Sequence, residues 1–201
     1  MIFLRVEKFR DYVRYYPVTI ALIAVVLAAF AVTGLAGGMS DGRVLLDFGG
    51  VSALPGYSEQ YWRLVTAMFL HSGFEHVLFN AFALYVFAPP LERLFGHARY
   101  ALFVVLCGVT GNLVSLTFEK PVLAVGISGA VYGLYGAYLY IILFRRGMLD
   151  AGSRKTIGVL LIIGLIYSVI VPSTSLWGHL GGLLAGFLLL APCMQHRLRK
   201  G

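Results

Sequence analysis

Four hydrogen-bonding side chains stand out in a mostly apolar chain: His76, Asn80, Ser128 and His179. A serine within reach of a histidine is a nucleophile beside its general base, the pair that attacks an acyl carbon. A second histidine and an asparagine carry donors suited to the oxyanion that such an attack creates. His76 and Asn80 are four residues apart, so on a helix they share one face. Ser128 lies in Gly126-Ile127-Ser128-Gly129, with Tyr132 one helical turn later. This is not the Gly-x-Ser-x-Gly elbow of soluble hydrolases, because Ala130 replaces the last glycine and no strand precedes it. Gly182 and Gly186 follow His179 at three and seven residues, and Gly129, Gly133 and Ala137 give the serine segment a comparable stripe. Small residues at such spacing let two helix backbones approach closely, so facing stripes would bring Ser128 and His179 within hydrogen-bond reach. Taken singly, a membrane serine usually bonds its own helix and a lone histidine often bridges neighbours. It is the grouping that points to chemistry.

The elements that must position these groups are membrane-crossing helices. Of 201 residues, 59% are hydrophobic and only 12% charged, about half the charged share of a soluble domain. That excludes a disordered chain and argues against a water-exposed globule. A crossing helix needs about 20 mostly apolar residues. The runs are Pro17 to Ala36, Gly73 to Leu94, Tyr100 to Phe118, Pro121 to Phe144, and the stretch from Thr156 to Gln195. The break at Pro172-Ser173-Thr174-Ser175 divides the last into two. The expected fold is an all-α membrane protein, a six-transmembrane-helix bundle. Residues 1–16 form a short cytoplasmic tail, 17–195 the membrane domain and 196–201 a basic cytoplasmic tail. The first run is longer than the apolar core of a cleaved signal peptide, which favours an uncleaved span.

The net charge of +7 would suggest nucleic acid in a soluble protein. Here the basic residues cluster between apolar runs, so the bilayer explains them and no nucleic-acid partner is expected. Thirteen Lys and Arg residues fall in the two tails and the second-to-third and fourth-to-fifth connections, against Arg43, Arg63 and Lys120 on the other side. Both termini are therefore expected in the cytoplasm. Spans two, four and six then enter from outside, which sets His76, Asn80, Ser128 and His179 at one depth in the exterior half of the bilayer. Ionisable groups there are costly and count as functional candidates; His71, Glu75 and Asn112 complete the set. The connection from Met39 to Tyr61 is Gly-rich and turns aromatic at Tyr57, Tyr61 and Trp62, as a structured exterior loop resting partly in the interface would. Cys107 and Cys193 lie inside apolar runs, against a disulfide framework or a cysteine metal site. Neither a metal nor a cofactor is expected.

The sequence resembles the rhomboid intramembrane serine proteases from its first span onward. The resemblance rests on Trp62-Arg63, His76-x-x-x-Asn80, Glu92-Arg93-x-x-Gly96, Gly126-x-Ser128-Gly129 and His179-x-x-Gly182-x-x-x-Gly186. Gly178 stands before the histidine where the family commonly has alanine. The resemblance implies a dyad of Ser128 and His179 with no carboxylate partner, and Tyr132 packing on the histidine ring. It implies an oxyanion site of His76, Asn80 and the Ser128 backbone N–H, with Gly126, Gly129, Gly182 and Gly186 in support. Trp62, Arg63 and Glu92 are implied to be structural: Arg63 stabilises the exterior loop and Glu92 ties down helix ends. His71 is expected at the mouth of the cavity, and Cys107, His97 and His196 as packing or surface residues. The implied substrate is a transmembrane helix of another protein, and the implied location a bacterial cell (inner) membrane.

Other classes remain as alternatives. A small transporter would carry polar residues along a path and an inverted repeat; here they gather at one end. A non-catalytic chaperone that binds membrane helices would keep its binding without Ser128. The zinc intramembrane proteases need His-Glu-x-x-His, which His71 to His76 does not supply, and the aspartyl class needs two membrane carboxylates, of which spans four to six have none.

Overall fold

Apolar runs of this length satisfy their backbone polar groups internally only as helices or closed barrels. The computed structural model describes residues 2–3, 7–171 and 174–198, with side chains to 191. Arg5, Pro172, Ser173, Arg199 and Lys200, and the side chains of Cys193, His196 and Arg197, lie outside the described residues. Among the described residues the α-helices are α1 (Phe9–Tyr15), α2 (Pro17–Leu35), α3 (Gly42–Asp47), α4 (Arg63–Thr66), α5 (Phe74–Phe95), α6 (His97–Phe118), α7 (Ser128–Phe144), α8 (Ala151–Ile170) and α9 (Leu176–Leu198). Four of them, α2, α5, α6 and α8, are long and apolar enough to cross a membrane; α7 and the stretch Leu176–Ala191 of α9 are shorter and apolar.

α6 begins at His97, one turn before the Tyr100 of the hydropathy reading, and two helix starts differ more widely. α7 begins at Ser128 rather than Pro121, because 121–125 serves the long connection: Val51 and Ala124 exchange backbone hydrogen bonds, and Ala53 N–H donates to the Pro121 carbonyl. α8 begins at Ala151 rather than Thr156, because Asp150 caps it by accepting from Ser153 N–H and Oγ–H. Those bonds, the hydroxyl first, hold the exposed Asp150 carboxyl down to about 2. A depressed folded-state value means the cap keeps its charge at neutral pH and loses it only as pH falls through about 2.

α7 is the buried axis, with residues 130–138 all buried. α6 and α9 lie directly against it, and glycines allow this. A Cβ at Gly182 would collide with the carbonyl of Gly129, and one at Gly186 with the carbonyl of Gly133. A Cβ at Gly111 of α6 would sit 3.2 Å from Gly129 Cα of α7 and 2.7 Å from the Gly178 carbonyl oxygen of α9. The obstacles are backbone, which cannot rotate aside. α8, by contrast, touches the bundle along one stripe: Ser153, Ile157, Leu161 and Ser168 are its buried residues, while Val159, Ile162, Ile163, Ile166, Val169 and Ile170 face outward.

Buried polar groups find partners across helices. Glu92 of α5 is fully buried and accepts from Val18 N–H (3.0 Å), Thr19 N–H (2.9 Å) and Thr19 Oγ–H (2.6 Å), the exposed donors of the first turn of α2. Pro89 inside α5 has no N–H for the carbonyl of Tyr85 four residues earlier. The buried Tyr12 of α1 fills that gap with its hydroxyl at 2.8 Å.

Two outcomes are expected from this packing, both read by thermal unfolding in detergent. Glu92→Ala strands the α2 donors and should cost roughly 3 kcal/mol, Glu92→Gln less because an acceptor oxygen remains. Gly186→Ala should cost roughly 1–3 kcal/mol or more by overpacking. Gly158→Ala is the contrast: nothing lies within 4 Å of its Cβ position, so the melting temperature should hold or rise slightly.

Candidate active site

Ser128 is presented by a turn that only glycine accommodates. Gly126 has φ +119°, a backbone setting that side chains strain, and its N–H donates to the carbonyl of Ala67. A Cβ there would also sit 2.7 Å from His76 Nε2 and 3.8 Å from Ser128 Oγ. Ile127 is the N-cap of α7 and makes no side-chain cap bond. Ser128 is thus the first residue of a helix without a side-chain cap; Ala130 N–H turns back to the Ile127 carbonyl at 2.9 Å, and the N–H groups of Ser128 and Gly129 are the donors left over.

The start of α9 is fixed by Glu119, at the end of α6. Its carboxylate accepts from the Ser115 hydroxyl (2.8 Å), the Trp177 N–H (2.9 Å) and the Ser175 hydroxyl. Ser175 Oγ in turn accepts from Gly178 N–H at 2.9 Å. This anchors the first turn of α9, in which His179 sits.

The backbone approach of α7 and α9 then brings the two side chains together. His179 Nε2 lies 2.9 Å from Ser128 Oγ, and its Nδ1 lies 2.6 Å from Ser168 Oγ of α8. The Tyr132 ring stacks on the imidazole, with centroids 4.1 Å apart and planes 8° from parallel. Its hydroxyl reaches Ser168 Oγ at 3.2 Å, passing Gly164, where a Cβ would sit 2.5 Å from the Tyr132 hydroxyl oxygen. Ser168 also donates to the Gly164 carbonyl at 2.7 Å. His179 and Ser168 are both buried.

His76 and Asn80 occupy one flank of the serine but do not act alike. The His76 ring lies against Gly126, beside Ser128. The buried Asn80 turns its amide to the His76 carbonyl of its own helix at 3.1 Å instead of bonding Ser128. His71 is not at a cavity mouth. It is fully buried, edge-on to His76 with centroids 4.9 Å apart, and its Nε2 has no partner among the described residues. Its neighbours Ala67, Met68 and Leu70 are buried with it.

The remaining residues of interest are structural in their contacts. Arg63 is buried and ties the long connection together, donating to the carbonyls of Leu46 (2.5 Å) and Gly50 (3.1 Å) and to Gln60 Oε1 (2.9 Å). The half-exposed Trp62 ring stacks under its guanidinium at 4.5 Å. Asn112 donates to the Leu64 carbonyl, Cys107 packs against Gly133, and His97 bonds Glu92 at 2.7 Å. Ser168 and Glu119 are the site's two contributors that the motifs do not mark. Among the described residues no three His, Cys, Asp or Glu side chains gather closely enough to hold a metal.

Comparison with known proteins bears on what this arrangement is. The Rhomboid domain family matches residues 58–196. The rhomboid protein YdcA of Bacillus subtilis (strain 168) is 36% identical over 201 residues, covering 98% of this chain and 99% of its own length. The rhomboid protease GluP of the same organism is 34% identical over 173 residues, 86% of this chain; the chain spans only 34% of GluP. RHOMBOID-like protein 6, mitochondrial, of Arabidopsis thaliana is 36% identical over 129 residues, 64% of this chain and 42% of its own. With the domain matched along most of its length and a full-length relative beside it, this chain belongs to the rhomboid family of intramembrane serine proteases.

Proposed function

We propose that this protein cleaves transmembrane segments of other membrane proteins, with Ser128 as nucleophile and His179 as general base. The observation that carries the reading is the 2.9 Å approach of His179 Nε2 to Ser128 Oγ across two helices. Ser128 Oγ attacks the substrate carbonyl carbon as its proton passes to His179 Nε2. The tetrahedral adduct collapses, His179 returns the proton to the departing amine, and water repeats the sequence on the acyl-enzyme. Tyr132 holds the imidazole by stacking.

The oxyanion falls to the Ser128 N–H at the uncapped start of α7 and to the His76 ring beside it. Asn80 joins them by releasing the His76 carbonyl, and is the weaker contributor. Gly126, Gly129, Gly182 and Gly186 keep these groups at contact distance; Trp62, Arg63 and Glu92 hold the loop and helix ends around them.

The chain crosses the bilayer six times, by α2 and α5 to α9, with residues 17–195 as the membrane domain, residues 1–16 and 196–201 as tails, and both ends in the cytoplasm. The distribution of Lys and Arg supports that orientation, and the two Bacillus relatives support a bacterial cell membrane. Ser128 then lies near the exterior surface. A helical substrate hides its carbonyls in its own hydrogen bonds, so it must unwind to be cut, most readily at small residues and helix breakers.

The test is a purified-enzyme assay on a tagged transmembrane substrate of known orientation. Ser128→Ala and His179→Ala should each lower turnover by roughly a thousandfold or more while the protein still folds; clear turnover by a folded Ser128→Ala protein would refute the dyad. His76→Ala should raise the barrier by roughly 2.7–4 kcal/mol and Asn80→Ala by less; unchanged rates in both would move the oxyanion site elsewhere. Mass spectrometry of the fragments should map the cut to the exterior part of the substrate segment. A cut in the cytoplasmic half would overturn the orientation.

A further inference from the structure

The dyad has no carboxylate behind its histidine, yet the imidazole is not unsupported at Nδ1. Ser168 Oγ lies 2.6 Å from it, delivered by α8, a helix that carries none of the motif residues. A hydroxyl has one proton to give and two lone pairs to receive with. The Ser168 proton goes to the Gly164 carbonyl one turn back, at 2.7 Å. Both lone pairs then face donors: the Tyr132 hydroxyl at 3.2 Å and His179 Nδ1. Every capacity of Ser168 is filled only when Nδ1 carries the hydrogen. That assignment leaves Nε2 with its lone pair, aimed at Ser128 Oγ 2.9 Å away.

We propose that Ser168 is a positioning residue of the reaction, which holds His179 in the Nδ1–H tautomer and so keeps Nε2 free to take the proton of Ser128. In soluble triads an aspartate orients the histidine and also balances the charge the ring acquires. A buried serine does the first without burying a charge in the bundle. It does so in a side chain 4% exposed, where an unpaired Nδ1–H would find no water to replace it. Gly164 is part of the device: it supplies the carbonyl that takes the serine proton, and its missing Cβ lets the Tyr132 hydroxyl approach.

This proposal rests on the dyad assigned above, and the experiment separates the two. Full-length Ser168→Ala, Ser168→Thr and Ser168→Val proteins are compared with wild type and Ser128→Ala for kcat and KM on a transmembrane substrate. The rate of acylation by a fluorophosphonate and the melting temperature are measured alongside. Threonine and valine have nearly the same shape and differ in the hydroxyl, so packing affects both alike. Ser168→Thr is expected to stay near wild type. Ser168→Val and Ser168→Ala should lose about 10- to 100-fold in kcat and in acylation rate, the cost of one buried hydrogen bond in the reacting state, with KM little changed. Equal activity of the threonine and valine proteins, a loss confined to KM, or a fully active Ser168→Ala protein overturns the role of Ser168. Ser128→Ala activity, by contrast, overturns the dyad itself.

Discussion

Where residue 182 would carry a Cβ, the structure has the carbonyl of Gly129, and four residues on the same happens between Gly186 and Gly133. Lipid gives little hydrophobic drive for helices to associate, so close backbone packing must supply it. The consequences run outward from this contact. It sets α7 and α9 at the spacing at which Ser128 and His179 meet without either side chain stretching. It makes α7 the axis on which α6 also packs, through Gly111 against Gly129, with Gly178 of α9 closing the same corner. Because the obstacles are main-chain atoms, the crossing has one geometry, and the catalytic distance inherits its rigidity.

Around that crossing the structure satisfies backbone groups that lipid would leave stranded. Helix ends are the exposed points, and acidic side chains from neighbouring elements cover two of them: Glu92 at the start of α2 and Glu119 at the start of α9. The start of α7 receives no such carboxylate. It has no side-chain cap, and its free donors lie where the proposed reaction develops negative charge. Donors left free at a helix start are what a site for a transient anion requires.

Much of this is legible in the sequence because membrane helices declare themselves by composition, and because i,i+4 pairs and glycine spacings translate directly into faces. His76 and Asn80 and the glycine stripes follow from those rules, whereas the Tyr132 stack is implied only by the resemblance to the rhomboid proteases. The start of α7 does not. Val122-Leu123-Ala124-Val125 is as apolar as any helix, and only its pairing with Val51 turns it into an extended segment. Ser168 is invisible for another reason. Whether a lone serine on α8 faces lipid or His179 depends on the rotation and depth of that helix relative to α9, and no local pattern encodes either. His71 misleads in the opposite sense, since its place beside the site suggests a cavity mouth while the fold buries it completely.

The bond from Tyr12 to the carbonyl of Tyr85 joins residues 73 apart in sequence. A chain synthesised from its amino end threads α1 and α2 into position before the proline-bearing α5 exists. When α5 arrives it carries a gap in its own ladder, and the group that closes the gap is already waiting. Phe3 extends the same service, packing edge-on against Phe87 and Tyr138. The amino-terminal segment thereby acts as a built-in assembly partner for a helix made much later, and deleting it would remove part of the bundle's interior along with its start.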